Sequence, residues 1–98
     1  MSSDGDTSAP DDPPARGFVF PTDFPIKIMG PNRLEFEPQM IAIVRSHAPD
    51  LDVSTVEVRQ SRAGKYLSVT VTIRAQSRTQ LDAIYLELTR HPWVKVVL

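Results

Sequence analysis

The chain has 98 residues, 41% of them hydrophobic and 23% charged, with a net charge of −1 and no cysteine. That length fits one domain, the balance of apolar and charged residues is that of a globular protein, and the missing cysteine excludes disulfides, thiol catalysis and thiolate metal sites. No stretch approaches the ~20 apolar residues of a membrane-spanning helix, and the N-terminus has neither the basic start nor the apolar run of a secretory signal, so no membrane association is expected and the cytoplasm is the expected location.

The charge is unevenly placed. Residues 1–16 hold Asp4, Asp6, Asp11 and Asp12 against Arg16 alone, and only Met1 is large and apolar. Such a segment cannot bury enough surface to offset its ordering entropy, so it is expected to be a disordered acidic tail. A single domain is expected over residues 17–98. At that size a chain buries only roughly 60–65% of its unfolded surface, so the core should be small. With four acidic residues and one basic residue in the tail, the rest of the chain carries +2. That is too weak a charge to suggest nucleic-acid binding by counterion release.

Phe18, Val19 and Phe20 are the first residues with surface to bury, and they are expected to lie against the domain. From Phe24 to Met29 the chain alternates, with Phe24, Ile26 and Ile28 on one face and Pro25, Lys27 and Met29 on the other, the period of a half-buried strand. Gly30, Pro31 and Asn32 are expected to stop it with turn chemistry. Phe36, Met40, Ile43, Val44 and His47 then form an amphipathic helical stripe. Pro38 is comfortable only in a first turn, which places the helix start near Glu35 to Glu37. Pro49 pushes Ala48 out of the helical region and ends the helix by His47.

A second alternating run contains Val56 and Val58. Ser61 to Lys65 follows as a short hairpin connection, with Gly64 able to take positive φ. Leu67, Val69, Val71, Ile73 and Ala75 alternate with Ser68, Thr70, Thr72 and Arg74, a long and regular strand expected at the centre of a sheet. Ser77 and Gln80 have the spacing of a capping box. Leu81, Ile84, Tyr85 and Leu88 then mark a helix that Pro92 ends at about Arg90. Val94, Val96 and Leu98 give a last strand. The order β-α-β-β-α-β is that of an α+β, ferredoxin-like sandwich, two helices on one face of a four-stranded antiparallel sheet with the first and third strands central.

Phe20-Pro21-Thr22 with Phe24, Lys27 and Met29-Gly30 resembles the opening of the YbeD-like family of small bacterial proteins. His47-Ala48-Pro49, Ser61 through Ile73 around Gly64 and Tyr66, and Val94 through Leu98 resemble the rest of it. The resemblance implies a ferredoxin-like fold similar to the ACT domain, a module that regulates amino-acid metabolism by binding small ligands. It carries over no catalytic residues.

Nothing in the residues themselves forms a catalytic constellation. His47 and His91 each fall at a predicted helix C-terminus, where capping or packing explains them. The carboxylates are scattered singly, and two histidines without cysteine make a poor metal site, so neither metal nor cofactor is expected. An acylphosphatase-type enzyme is one alternative on this topology, but Gly30-Pro31-Asn32-Arg33 lacks its glycine cradle. An RNA-binding domain is another. Its open sheet face would carry stacking aromatics, whereas Lys27, Met29, Ser68, Thr70, Thr72 and Arg74 are expected there.

Two candidate sites follow. The ACT-like resemblance implies a ligand site at the turn after the first strand, formed by Gly30, Asn32 and Arg33, where helix N-terminal amides favour an anion. The hairpin cluster Arg59, Arg62, Lys65 and Tyr66 is suited to docking an acidic partner or a phosphate. The expected function is a non-enzymatic regulatory or adaptor domain that binds a small metabolite or docks on a partner enzyme. Sheet-to-sheet pairing into a homodimer is the ACT-like way to build a ligand site.

Overall fold

A computed structural model describes residues 19–98; the tail expected at 1–16 and Phe18 lie outside the described residues. Strands β1 (Thr22–Pro31), β2 (Glu57–Gln60), β3 (Tyr66–Ala75) and β4 (Val96–Val97) form one antiparallel sheet in the order β2-β3-β1-β4. Helices α1 (Phe36–His47) and α2 (Arg78–Arg90) pack on the face that buries Ile26, Ile28 and the apolar residues of β3. This is the expected ferredoxin-like sandwich, with β1 and β3 central.

The alternation of β3 decides the layering. Leu67, Val69, Val71, Ile73 and Ala75 are buried, while Thr72 and Arg74 are exposed. They meet Phe36, Met40 and Val44 from α1 and Leu81, Ile84 and Leu88 from α2. Each large side chain buried in this layer contributes about 1.5–3 kcal/mol. No polar or charged residue is buried among the described residues, so the core rests on apolar packing alone.

β1 runs past its expected end. It continues through Gly30 to Pro31, which faces Tyr66 across the β1–β3 ladder. A proline in a central strand normally removes a ladder bond. Here Lys27 exchanges both backbone bonds with Leu98, at 3.1 and 2.8 Å, so the odd-numbered residues of β1 turn their N–H and C=O groups toward β4. Pro25 and Pro31 therefore need no donor on the β3 side, and the two residues of β4 do not reach them. At the far end, the strand expected from Val94 starts late. A turn closed by Val94 N–H to the His91 carbonyl (3.1 Å) uses up its first residues.

Helix α1 begins at Phe36 and puts Pro38 in its first turn, as expected, but Glu35 caps it with no side-chain hydrogen bond. In α2, Ser77 Oγ accepts the Gln80 N–H at 3.0 Å. Gln80 does not complete a reciprocal box. Its side chain accepts from Gln76 N–H (2.7 Å) and donates to the His47 carbonyl (2.8 Å), joining the start of α2 to the end of α1. A 3-10 turn at Val53–Thr55 was not expected; Asp52 organises it by accepting from Ser54 N–H (3.0 Å) and Ser54 Oγ (2.6 Å). Of the lead-in residues, Phe20 packs against the core, whereas Val19 is exposed.

Candidate functional site

The two loops singled out from the sequence are one structure. Asn32 N–H donates to the Lys65 carbonyl at 3.1 Å, and Asn32 Nδ2 donates to the Gly64 carbonyl at 2.8 Å. These bonds fasten the β1–α1 turn to the tip of the β2–β3 hairpin. The hairpin is closed from within by Ser61, whose Oγ accepts from Lys65 N–H (3.1 Å) and Tyr66 N–H (3.0 Å). Gly64 takes φ 74° at that tip, a conformation that side chains disfavour. Arg33, Arg59, Arg62 and Lys65 thus share one end of the molecule, and none of them forms an ion pair among the described residues.

Gly30 is buried beneath this end. A Cβ there would overlap the Phe36 ring and would stand 2.7 Å from the Trp93 carbonyl oxygen. The glycine is needed for close packing of β1 against α1 and the α2–β4 connection. The amides of Asn32, Arg33 and Phe36 already bond to backbone carbonyls, at 3.1, 2.9 and 3.1 Å. Arg33 is instead placed by an aromatic ring, its guanidinium lying 4.7 Å from the centroid of Trp93. At that distance a cation is drawn to the ring face. Trp93 is set in turn by His91, whose Nδ1 accepts the Trp93 N–H at 3.1 Å while Nε2 meets Gln39 Oε1 at 2.9 Å. The acceptor role of Nδ1 places the ring proton on Nε2. His47 joins the same two helices lower down, 2.7 Å from Glu87. Both histidine side chains tie the two helices together, and His91 is also the C-cap residue of α2, its backbone N–H donating to the Leu88 carbonyl at 3.1 Å.

The register arranges the open sheet face in rows. Arg59, Ser68, Met29 and Val96 form one row across all four strands, and Glu57, Thr70 and Lys27 form the next. Tyr66 joins β3 one residue earlier than expected and so stands on this face, 40% exposed, opposite Pro31. Among the described residues, two recesses are notable here. A wide one of about 430 Å³ lies at the far end among Asp23, Asp50, Asp52, Glu57 and Arg74. Asp23 pairs with Arg74 there at 3.3 Å, and hydrogen bonds from Ser54, the side-chain one first, hold the Asp52 carboxyl below the usual carboxylate range. A narrow one of about 80 Å³ lies beside the hairpin, lined by Met29, Arg59, Tyr66, Leu67 and Ser68 among others. The molecule is therefore cationic at the hairpin end and anionic at the other. Among the described residues no three His, Asp or Glu side chains are grouped to hold a metal ion.

Sequence reasoning missed Trp93 and Ser68. Trp93 is the chain's one tryptophan, placed just after the Pro92 helix stop, which is a signal in itself. Ser68 carried none, since an isolated serine on the wet face of a strand looks like any other.

Comparison with known proteins supplies the lineage. Residues 16–98 match the family described as "Protein of unknown function (DUF493)". The UPF0250 protein NE1487 of Nitrosomonas europaea is 53% identical over 79 residues, covering 81% of this chain and 91% of the relative. The UPF0250 protein RSc0326 of Ralstonia nicotianae is 43% identical over 99 residues, with full coverage of both. Among solved structures, the ACT domain from GTP pyrophosphokinase of Chlorobium tepidum superposes with a TM-score of 0.59. In its crystal form it is 19% identical and covers 79% of this chain and 97% of the domain, a likeness of fold. The chain belongs to the DUF493 family, whose UPF0250 members are the YbeD-like proteins that its sequence resembles.

Proposed function

We propose that the protein is a non-enzymatic regulatory or adaptor domain whose working surface is the hairpin end. The observation that carries this reading is the pair of Asn32 bonds to Lys65 and Gly64, which merges the two candidate sites into one surface. On it Arg33, held over Trp93, stands with Arg59, Arg62, Lys65 and the half-exposed Tyr66. Unpaired cations beside an exposed aromatic suit an acidic patch on a partner protein, where Arg and Tyr are favoured anchors. An extended polyanion suits it less, because the same sheet face turns acidic at Asp23, Asp50, Asp52 and Glu57. Gly30 serves this surface by letting Phe36 and Trp93 close beneath it. The likeness to ACT domains supports a regulatory role for the same fold.

The test is capture from an extract of the native cell with immobilised protein, in parallel with an Arg62→Glu, Lys65→Glu double variant. The reading expects captured species to be lost from the double variant and weakened by raised salt. Capture that is indifferent to both would sink it.

A homodimer is the second reading, favoured by β2. All four of its residues are exposed, and it lies at the edge of the sheet. Antiparallel pairing with a second copy about a twofold at Val58 would set Glu57 against Arg59 twice and cover Val58, which is 39% exposed. Sedimentation equilibrium decides this: a concentration-dependent dimer that Val58→Lys abolishes supports it, and a strict monomer ends it.

A further inference from the structure

The narrow recess beside the hairpin has an unusual floor. Ser68 Oγ is buried and has no hydrogen-bond partner, the single such side-chain atom among the described residues. Most buried polar atoms in folded proteins are paired, and one left alone calls for an explanation. Ser68 faces Arg59 directly across the β2–β3 ladder and Met29 across the β1–β3 ladder, and all three line the recess. Gln60, Ser61, Tyr66 and the Leu67 strand position complete the lining, and the surface it exposes to the recess is mostly apolar. Arg59 makes no ion pair among the described residues. Ser68, with its unpartnered hydroxyl, and Arg59, which has no ion pair, therefore border one space with room for only a few heavy atoms, about 80 Å³.

That combination selects a ligand class. One planar guanidinium matches the two oxygens of a carboxylate. A phosphate brings more charge and three acceptor oxygens, more than one arginine and one hydroxyl can satisfy where the Ser61 hydroxyl is already engaged by the hairpin amides. We propose that the recess binds a small free carboxylic acid with a short aliphatic stem. Arg59 takes the charge, Ser68 Oγ donates to one carboxylate oxygen, and Met29 and Tyr66 flank the stem. The site adjoins the hairpin surface and deepens the regulatory reading above by naming its effector; it rests on that reading for its role. Occupancy would order Arg59 and Tyr66, two residues of the docking surface, and so couple the acid to the partner.

The probe is sodium propionate, titrated into the full chain and followed by amide shifts and the Met29 methyl signal, with sodium chloride matching ionic strength. Saturable shifts are expected at Arg59, Ser68 and Met29, absent with chloride and absent with propionamide, the uncharged isostere. Arg59→Gln should weaken binding about tenfold or more, as loss of a charge-assisted contact does. Ser68→Ala should weaken it severalfold while raising the melting temperature, which separates a binding role from a folding role. Arg90→Gln, remote on α2, is the control and should leave the titration unchanged. Shifts that fail to saturate, or equal binding of propionamide, overturn the proposal. A tripeptide acetyl-Ala-Glu-Ala-amide that binds more tightly than propionate overturns the assignment to a free acid, because the site would then read a protein side chain. If propionate does not bind while charge reversal at Arg62 and Lys65 still abolishes capture, this inference falls alone and the docking surface stands.

Discussion

Asn32 and Gly64 lie 32 residues apart in sequence and are joined by a 2.8 Å hydrogen bond from side-chain amide to carbonyl. The bond is exposed, so its net worth is about 0.5–1.5 kcal/mol. Its structural effect is larger than its energy, because it holds the β1–α1 turn against the hairpin tip. Asn32→Ala should lower stability by about 1 kcal/mol in urea titration. It should also speed amide exchange at Lys65 and Tyr66, whose donors sit in the tip that Asn32 holds. Unchanged exchange there would mean that Ser61 alone orders the hairpin.

Two glycines in this end are required for opposite reasons, and substitution separates them. At Gly30 the backbone is ordinary but the space is taken by Phe36 and Trp93. Gly30→Ala should therefore cost about 1–3 kcal/mol through overpacking, and Gly30→Asn more. At Gly64 space is open, the nearest atom being Gln60 Oε1 at 3.7 Å, but φ is +74°. Gly64→Ala should cost about 1 kcal/mol and Gly64→Asn less, because asparagine tolerates the left-handed region. Thermal melts of the four variants give the ranking, and a gentle Gly30→Asn would contradict the packing.

Val71 and Thr72 are neighbours on β3 that face opposite sides of the sheet. Val71 is fully buried opposite Ile26, whereas Thr72 is exposed opposite Pro25. Val71→Ala should cost about 2–4 kcal/mol, the range of large-to-small core changes. Thr72→Ala should stay within about 0.5 kcal/mol, as surface substitutions do. Chemical denaturation of the pair measures both, and comparable costs would reverse the layering.

The order of elements was legible because hydrophobic period and burial coincide in this chain. Leu67 to Ala75 and Phe36 to Val44 bury the residues that their periods select. What escaped were features decided by distant partners. Pro31 remains in β1 because Tyr66 stands opposite it and β4 stops short, neither of which is local information. Gln80 abandons its capping box because the His47 carbonyl is within reach. The two candidate loops looked unrelated, since only the β1–β3 register brings Asn32 to Gly64. Trp93 gained its role from Arg33, far earlier in the chain, through a contact that no pattern of spacing encodes.

Tyr85 gives the fold a pH dependence on the alkaline side. Burial pushes its phenol above the ordinary value of 10.0, because the ring's ionised form is poorly solvated there. A folded-state pKa above the unfolded one means a contribution that is complete below about pH 10 and lost as pH rises through the folded value. Ionisation also removes the proton that Tyr85 Oη donates to the Leu98 carbonyl at 3.3 Å, a contact that helps hold β4. Urea midpoints should therefore fall as pH rises above about 10 in the native chain. The fall should be shallower in Tyr85→Phe, which has no proton to lose. Identical slopes would show that other groups carry the alkaline transition.

Ser68 offers a last test, in which stability and binding should move in opposite directions. Its Oγ is buried without a partner, and a polar group left so costs about 1–3 kcal/mol relative to a paired one. Ser68→Ala removes the orphan atom and leaves a methyl group beside Met29, its neighbour across the β1–β3 ladder. The variant should thus be more stable than the native chain, by about 1 kcal/mol in urea titration. Ser68→Val fills more of the recess and should gain similarly while excluding a ligand altogether. Thr70, in the next row of the same strand, is the internal control. Its hydroxyl is not a buried orphan, so Thr70→Val should show no comparable gain. A loss of stability in Ser68→Ala would mean that the hydroxyl is satisfied in the folded protein, and it would then not be waiting for a carboxylate.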